Sequence, residues 1–211
     1  MNNFIYKILF IFFITFSANA ESKILSIGSM NAKITIKVFS SLTCPHCASF
    51  HENIFEELKK DYIDQNLVRF EHHGFPLDLA ALNAEIIVRC HIDNQKNFQL
   101  LGEIYKKQNK WAMGSDINVI NESIKKIGLD NGLNNSEMDK CLKNENAQEQ
   151  ILNERIEAQK KYKIQSTPTI FINEKSYQGD HNYKSFEKII KKILKKYDKK
   201  KIRDKWIQIF F

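Results

Sequence analysis

The stretch Lys33-Ile34-Thr35-Ile36-Lys37-Val38-Phe39-Ser40-Ser41-Leu42-Thr43-Cys44-Pro45-His46-Cys47-Ala48-Ser49-Phe50 decides the fold. From Lys33 to Ser40, Ile34, Ile36 and Val38 alternate with other residues in a run rich in β-branched side chains, which predicts a strand. Pro45 suits the first position of a helix, where a missing N–H is no loss, and Phe50, Ile54, Phe55 and Leu58 fall on one helical stripe. Leu67 to His72 reads as a second strand. Strand, helix of about four turns and strand make a βαβ unit, and hence an α/β fold.

The two cysteines stand at the joint where strand gives way to helix. The thiolate is the reactive form of cysteine, and a pKa of about 8.5 leaves little of it at neutral pH. At a helix start, unpaired N–H groups and the positive end of the helix dipole point at the Cys44 sulfur. His46 adds a ring that can donate to that sulfur or carry charge beside it. Cys47, one turn further in, aligns with Phe50, His51 and Ile54 on the inward face. Cys44 is therefore expected to be the exposed, attacking sulfur and Cys47 the buried resolving one. A bare C-x-x-C also occurs in c-type haem attachment, which would want a His where Ala48 stands, and in zinc sites. Zinc would need a second pair of ligands, for which His51, His72 and His73 are the candidates.

Outward from this site, residues 78–163 are helical in pattern, broken at Gly114-Ser115-Asp116, Gly128 and Asn134-Asn135-Ser136. Ser136 with Asp139 resembles a capping box that would start a short helix bearing Cys141. The strand signal returns in Thr169-Ile170-Phe171-Ile172, turns at Asn173-Glu174-Lys175, and has a short partner at Ser176 to Gln178. Thr167-Pro168 heads that strand, where a proline without an N–H needs a special reason. A last amphipathic helix carries Tyr183, Phe186, Ile189, Ile190, Ile193, Leu194 and Tyr197. The order describes a sheet domain, residues 21–77 and 164–197, interrupted by a helical insertion over 78–163 and followed by a basic tail over 198–211.

The two ends set the compartment and the charge. Residues 1–20 carry one charge, Lys7, a nearly all-apolar run from Ile8 to Phe16, and Ala18-Asn19-Ala20 as a small-x-small cleavage site. This reads as a secretory signal peptide, the apolar run being shorter than the roughly 20 residues that span a bilayer; the competing reading is an uncleaved anchor. Export would put the four cysteines where disulfides persist, with 44–47 and 90–141 as the connectivity that stands out. The net charge of +7 is local: residues 184–205 hold eleven Lys/Arg against three Asp/Glu, whereas residues 21–183 carry a net −2. The basicity belongs to the C-terminal end, and nucleic acid is not an expected partner.

Three motifs together, Phe39 to His51 around Cys44-Pro45-His46-Cys47, Gly74-Phe75-Pro76-Leu77-Asp78, and Ser166-Thr167-Pro168-Thr169-Ile170-Phe171-Ile172-Asn173, resemble the DsbA-like family of thiol:disulfide oxidoreductases in order and spacing. The resemblance covers roughly residues 27–195 and implies a thioredoxin-like fold with a helical insertion. It implies catalysis by Cys44 and Cys47 with Pro45 and His46 between them, and a cis Thr167-Pro168 bond lying against Cys44, where the Thr167 backbone can pair with a substrate strand. It also implies a periplasmic oxidase that introduces disulfides into reduced, unfolded exported proteins and is recharged by a quinone-linked membrane partner of the DsbB type. No cofactor or metal is called for. The rival readings are an isomerase or reductase of the same fold and, from a different class, a non-enzymatic metal carrier or chaperone. Isomerases of this superfamily dimerise through an added N-terminal domain, so a monomer is expected here.

Cys90 and Cys141 depart from the best-known members of that family. Neither has a neighbouring thiol or a helix-opening proline, so a structural disulfide is the expectation and a second redox centre the competing one. The tail ending Trp206-Ile207-Gln208-Ile209-Phe210-Phe211 is also outside the family pattern and is expected to be mobile, with docking on the body or on an anionic membrane as alternatives.

Overall fold

The computed structural model describes residues 24–210, with side chains through residue 203; the expected signal segment, 1–20, lies outside the described residues. Strands β1 (Leu25–Ile27), β2 (Ile34–Ser40), β3 (Val68–Gly74), β4 (Thr169–Ile172) and β5 (Lys175–Ser176) form one sheet in the order β1-β3-β2-β4-β5. β2 runs parallel to β3, with Ile36 opposite Phe70 and Val38 opposite His72. It runs antiparallel to β4, with Val38 opposite Ile170. β1 is too short to leave a sequence signal, yet it pairs antiparallel with β3 ahead of the first expected strand.

A parallel pair needs a crossover, and the helical run 45–63 (α1) supplies it. α1 is α-helical at Pro45–Phe50 and Glu56–Leu58 and π-helical at His51–Phe55 and Lys59–Ile63. The wider turns let neighbouring residues such as Ile54 and Phe55, or Tyr62 and Ile63, all be buried. Between β3 and β4 come α2 (Leu79–Val88), α3 (Asn94–Lys106), α4 (Gln108–Trp111), α5 (Ile117–Asp130), α6 (Asn135–Leu142) and α7 (Glu145–Tyr162). The last helix, α8, spans Tyr183–Phe210, so what the sequence reads as a mobile tail continues as helix. A second correction concerns α6, which is capped by Asn134 and Glu137 in a reciprocal capping box, not by Ser136 and Asp139. Asn and Ser are comparable caps, and the pair set two residues earlier satisfies both backbone donors.

The alternation in β2 separates two apolar layers. Ile34, Ile36 and Val38, with Phe70, Ile170 and Ile172, pack against Phe50, Ile54, Phe55 and Leu58 of α1, Leu101 and Ile104 of α3, and Phe186 and Ile190 of α8. On the opposite face Phe39 meets Phe171, Phe75, Ile164 and the Tyr162 ring of α7, with centroids 4.9 Å apart for Phe39 and Tyr162.

Two ties brace the helical block, the first of them to the sheet. His72 of β3 and Arg89, just past α2, both bind the fully buried Glu85 carboxylate, at 3.0 and 2.8 Å, and Arg89 reaches Glu154 of α7 at 2.9 Å. Burial pushes the Glu85 carboxyl up, but His72 and Arg89 beside it hold it at about 2. Such a cluster is stable only while every charge keeps its partner. The second tie is a disulfide between Cys90 and Cys141, S–S 2.04 Å, which links the end of α2 to α6.

Candidate functional site: a dithiol at a helix start

Cys44 has extended backbone at the N-cap of α1, and Pro45 follows inside the helix. Its carbonyl already accepts from Cys47 and Ala48 N–H at 3.1 and 3.2 Å. Cys44 and Cys47 are free thiols, and neither is broadly open: Cys44 is 8% exposed and Cys47 1%. The expectation of an exposed Cys44 is corrected accordingly. What covers it is the loop before β4, where the Thr167-Pro168 peptide is cis and the Cys44 thiol donates to the Thr167 carbonyl at 3.2 Å.

The two sulfurs are electrostatically unlike. A hydrogen bond from the Cys47 thiol, supported by the Thr167 hydroxyl and the backbone N–H groups of Cys47 and His46, brings the Cys44 pKa down to about 5 against the cost of burial. Burial and the neighbouring Cys44 drive Cys47 far upward, so it keeps its proton. The Thr167 hydroxyl is buried without a partner beside the neutral thiol, which leaves it free to donate once Cys44 ionises. Of the two parts read for His46, that of a donor to the sulfur is not taken up. Among the described residues its ring makes no hydrogen bond to the Cys44 sulfur; it is exposed and lines a groove.

That groove, about 440 Å³, runs between the start of α1 and the cis-proline loop, lined by His46, Ser49, Phe50, Asn53 and Ile54 on one side and Ser166, Thr167, Pro168 and His181 on the other. It offers backbone and both polar and apolar side chains next to the low-pKa sulfur, the surroundings an extended peptide with a reactive sulfur requires.

A scan of protein families matches residues 20–192 to the family described as thioredoxin. The chain belongs to the thioredoxin family. Within it the likeness is to DsbA proteins: the crystal structure of Wolbachia pipientis alpha-DsbA1 superposes with a TM-score of 0.76 at 26% identity, over 85% of this chain and 94% of that one. A putative protein-disulfide oxidoreductase of Rickettsia bellii is 32% identical over 77% of this chain and 61% of its own length. Disulfide bond formation protein D of Bacillus subtilis is 28% identical over 80% of this chain and 76% of its own. The chain thus spans about three-fifths of the length of the Rickettsia relative.

The thioredoxin-family dithiol is held by residues that sequence reasoning missed. Gln108, buried at the start of α4, donates its amide to the carbonyls of Leu42 and Cys44 at 2.7 and 3.1 Å and so pins the loop that aims the sulfur. Thr43 donates to Asp78 at 2.7 Å while Asp78 caps α2, binding the inserted helices to the same loop. His181, far from the cysteines in sequence, forms part of the groove wall. The three candidate zinc histidines have other surroundings. His72 binds Glu85, His73 binds Glu71 at 3.2 Å, and His51 is stacked on Phe55 and Tyr105, where burial lowers its pKa to about 3.

Proposed function

We propose that this protein is an exported thiol:disulfide oxidoreductase that introduces disulfides into secreted or periplasmic proteins through Cys44 and Cys47. The observation that carries the reading is the asymmetry of the pair: one sulfur at about 5, the other held as a thiol, beside a peptide-sized groove. With the pair oxidised, a substrate thiolate attacks the Cys44 sulfur, a substrate–Cys44 disulfide forms, and Cys47 leaves with the electron pair and takes up a proton. A second substrate thiolate then attacks the substrate's sulfur and expels Cys44. That last leaving group is the low-pKa thiolate, which favours completion in the direction of substrate oxidation. Stabilising the reduced Cys44 is what makes the disulfide a good oxidant.

In this reading Thr167 and Pro168 present backbone to the substrate strand, Cys90–Cys141 is structural, and residues 21–77 with 164–197 form the redox domain around an insertion at 78–163. A cleaved signal over residues 1–20 and reoxidation by a quinone-linked membrane partner of the DsbB type complete it. The names of the Rickettsia and Bacillus relatives support the class of chemistry. The test mixes the oxidised protein with a reduced, unfolded substrate and counts free thiols. Loss of two substrate thiols per Cys44–Cys47 disulfide consumed is expected. Rescue of scrambled disulfides without net thiol loss would replace the oxidase with an isomerase.

A further inference from the structure

α8 does more than close the core. Its inward stripe is buried on the body, with Phe186 and Ile190 inaccessible and Tyr183, Ile189, Ile193 and Leu194 packed around them. At 3.6 residues per turn, Lys184, Lys188, Lys191, Lys195 and Lys199, spaced by 4, 3, 4 and 4, fall on the opposite face, and all are exposed. Lys192 and Lys196 flank them and are exposed too. The three carboxylates of this helix region hardly interrupt the row: Glu187 pairs with Lys191 at 2.6 Å, Asp198 is engaged by Lys33 at 3.5 Å, and Asp204, 18 residues beyond Phe186, falls on the opposite side from the lysines.

The same face then changes character. Ile202 lies 18 residues, five full turns, beyond Lys184 and so on the lysine side, where it is 59% exposed. The sequence continues from Ile202 with Trp206, Ile209 and Phe210, at spacings of 4, 7 and 8 on the same side, and with Ile207 on the side of the inward stripe. Past Tyr197 the apolar positions of α8 are no longer confined to the inward stripe, where Ile207 stands in line with Ile189; Ile202, Trp206 and Ile209 stand about half a turn round the helix, in line with the lysines.

We propose that this outward face of α8 binds an anionic phospholipid surface, the lysines engaging headgroup phosphates and the apolar residues from Ile202 onward entering the interface. Charge alone would suit any polyanion. Exposed Ile202 and the apolar sequence that follows it select a bilayer, since a nucleic acid or an acidic protein surface gives Ile202 nothing to bury against, whereas cations on one stretch and Trp or Ile on the next are what a membrane interface receives. This inference is independent of the thiol chemistry, because no residue of the Cys44 site contributes to it.

The test is partition of the full chain onto vesicles of phosphatidylcholine with about three parts in ten phosphatidylglycerol, against phosphatidylcholine alone. At least tenfold tighter binding to the anionic vesicles is expected, lost at the high salt that shortens the screening length to about 3 Å. Any insertion by the apolar run at 8–16 appears on both vesicle types and cancels in the ratio. Lys188→Glu/Lys192→Glu/Lys195→Glu/Lys199→Glu should abolish the preference while thiol exchange with a soluble peptide is unchanged, which shows the variant is folded. Ile202→Ser/Trp206→Ser should weaken anionic binding several-fold and leave its salt sensitivity. Equal partition to both vesicle types, or an unaffected charge-reversed variant, overturns the proposal. So does a short DNA duplex that binds the protein as tightly as the anionic vesicles, or self-association that disappears with the lysines.

Discussion

The molecule holds two cysteine pairs in opposite electrostatic settings. Cys44 sits at the positive start of α1, with the amides of His46 and Cys47 directed at its sulfur. Cys90 follows the last turn of α2, and Cys141 is in the last turn of α6, so both lie at the negative, carbonyl-bearing ends of helices. One environment stabilises a thiolate and the other does not. The first pair is three positions apart and free; the second is 51 apart and joined. A hydrogen bond from the resolving thiol, backed by the amides of a helix start, is what separates a reactive pair from a staple.

The most direct way to break this comparison is to remove one sulfur at a time. Cys44→Ala should eliminate thiol exchange and accumulate almost no mixed disulfide, whereas Cys47→Ala should trap substrate on Cys44, because the resolving thiol is gone. Non-reducing electrophoresis after mixing with a reduced substrate reads both outcomes. Trapping on Cys47 instead would reverse the assigned roles. Trapping on Cys90 would erase the distinction between the pairs.

The next largest effect belongs to the staple. Closing a loop of 51 positions removes unfolded-state entropy worth about 4 kcal/mol in the chain-entropy model. Cys90→Ser/Cys141→Ser should lower unfolding stability by up to that amount in denaturant titrations, with the Cys44–Cys47 potential nearly unchanged. A large shift in potential would mean that the second pair takes part in the redox cycle.

How much of this could be read beforehand follows the range of the interactions. β2, the start of α1 and β4 announce themselves through local alternation, a proline at a helix start and β-branched runs, and the structure has them within a residue of expectation. The Cys44-Pro45-His46-Cys47 run is equally local. The Glu85 cluster was not legible: His72, Arg89 and Glu154 are scattered over β3, the end of α2 and α7, and each taken alone reads as a surface charge. Gln108 was hidden for the same reason, since its partners are carbonyls 66 and 64 residues away. The donor role read for His46 failed in the other direction, because adjacency in sequence to Cys44 does not aim a ring at the sulfur when the helix start turns it toward the groove.

The smallest effect gives the sharpest test, because it measures the environment of Cys44 without removing a sulfur. Alkylation of the reduced protein should rise with a midpoint near pH 5 for Cys44, while Cys90 and Cys141, once reduced, lack that early phase. The sign follows from linkage. The folded pKa of Cys44 lies below its unfolded value, so the stabilisation of the reduced protein is complete above the unfolded value and is lost as the pH falls through about 5. The oxidised protein has no such thiolate and should show no matching loss. Thr167→Val deletes a hydroxyl whose donor capacity goes to the ionised sulfur. A bond to a charged group is worth about 1.5 kcal/mol or more, so the midpoint should rise by about one unit. An unmoved midpoint would assign the low pKa to the helix start and Cys47 alone, and the cis-proline loop would then serve only to hold the substrate.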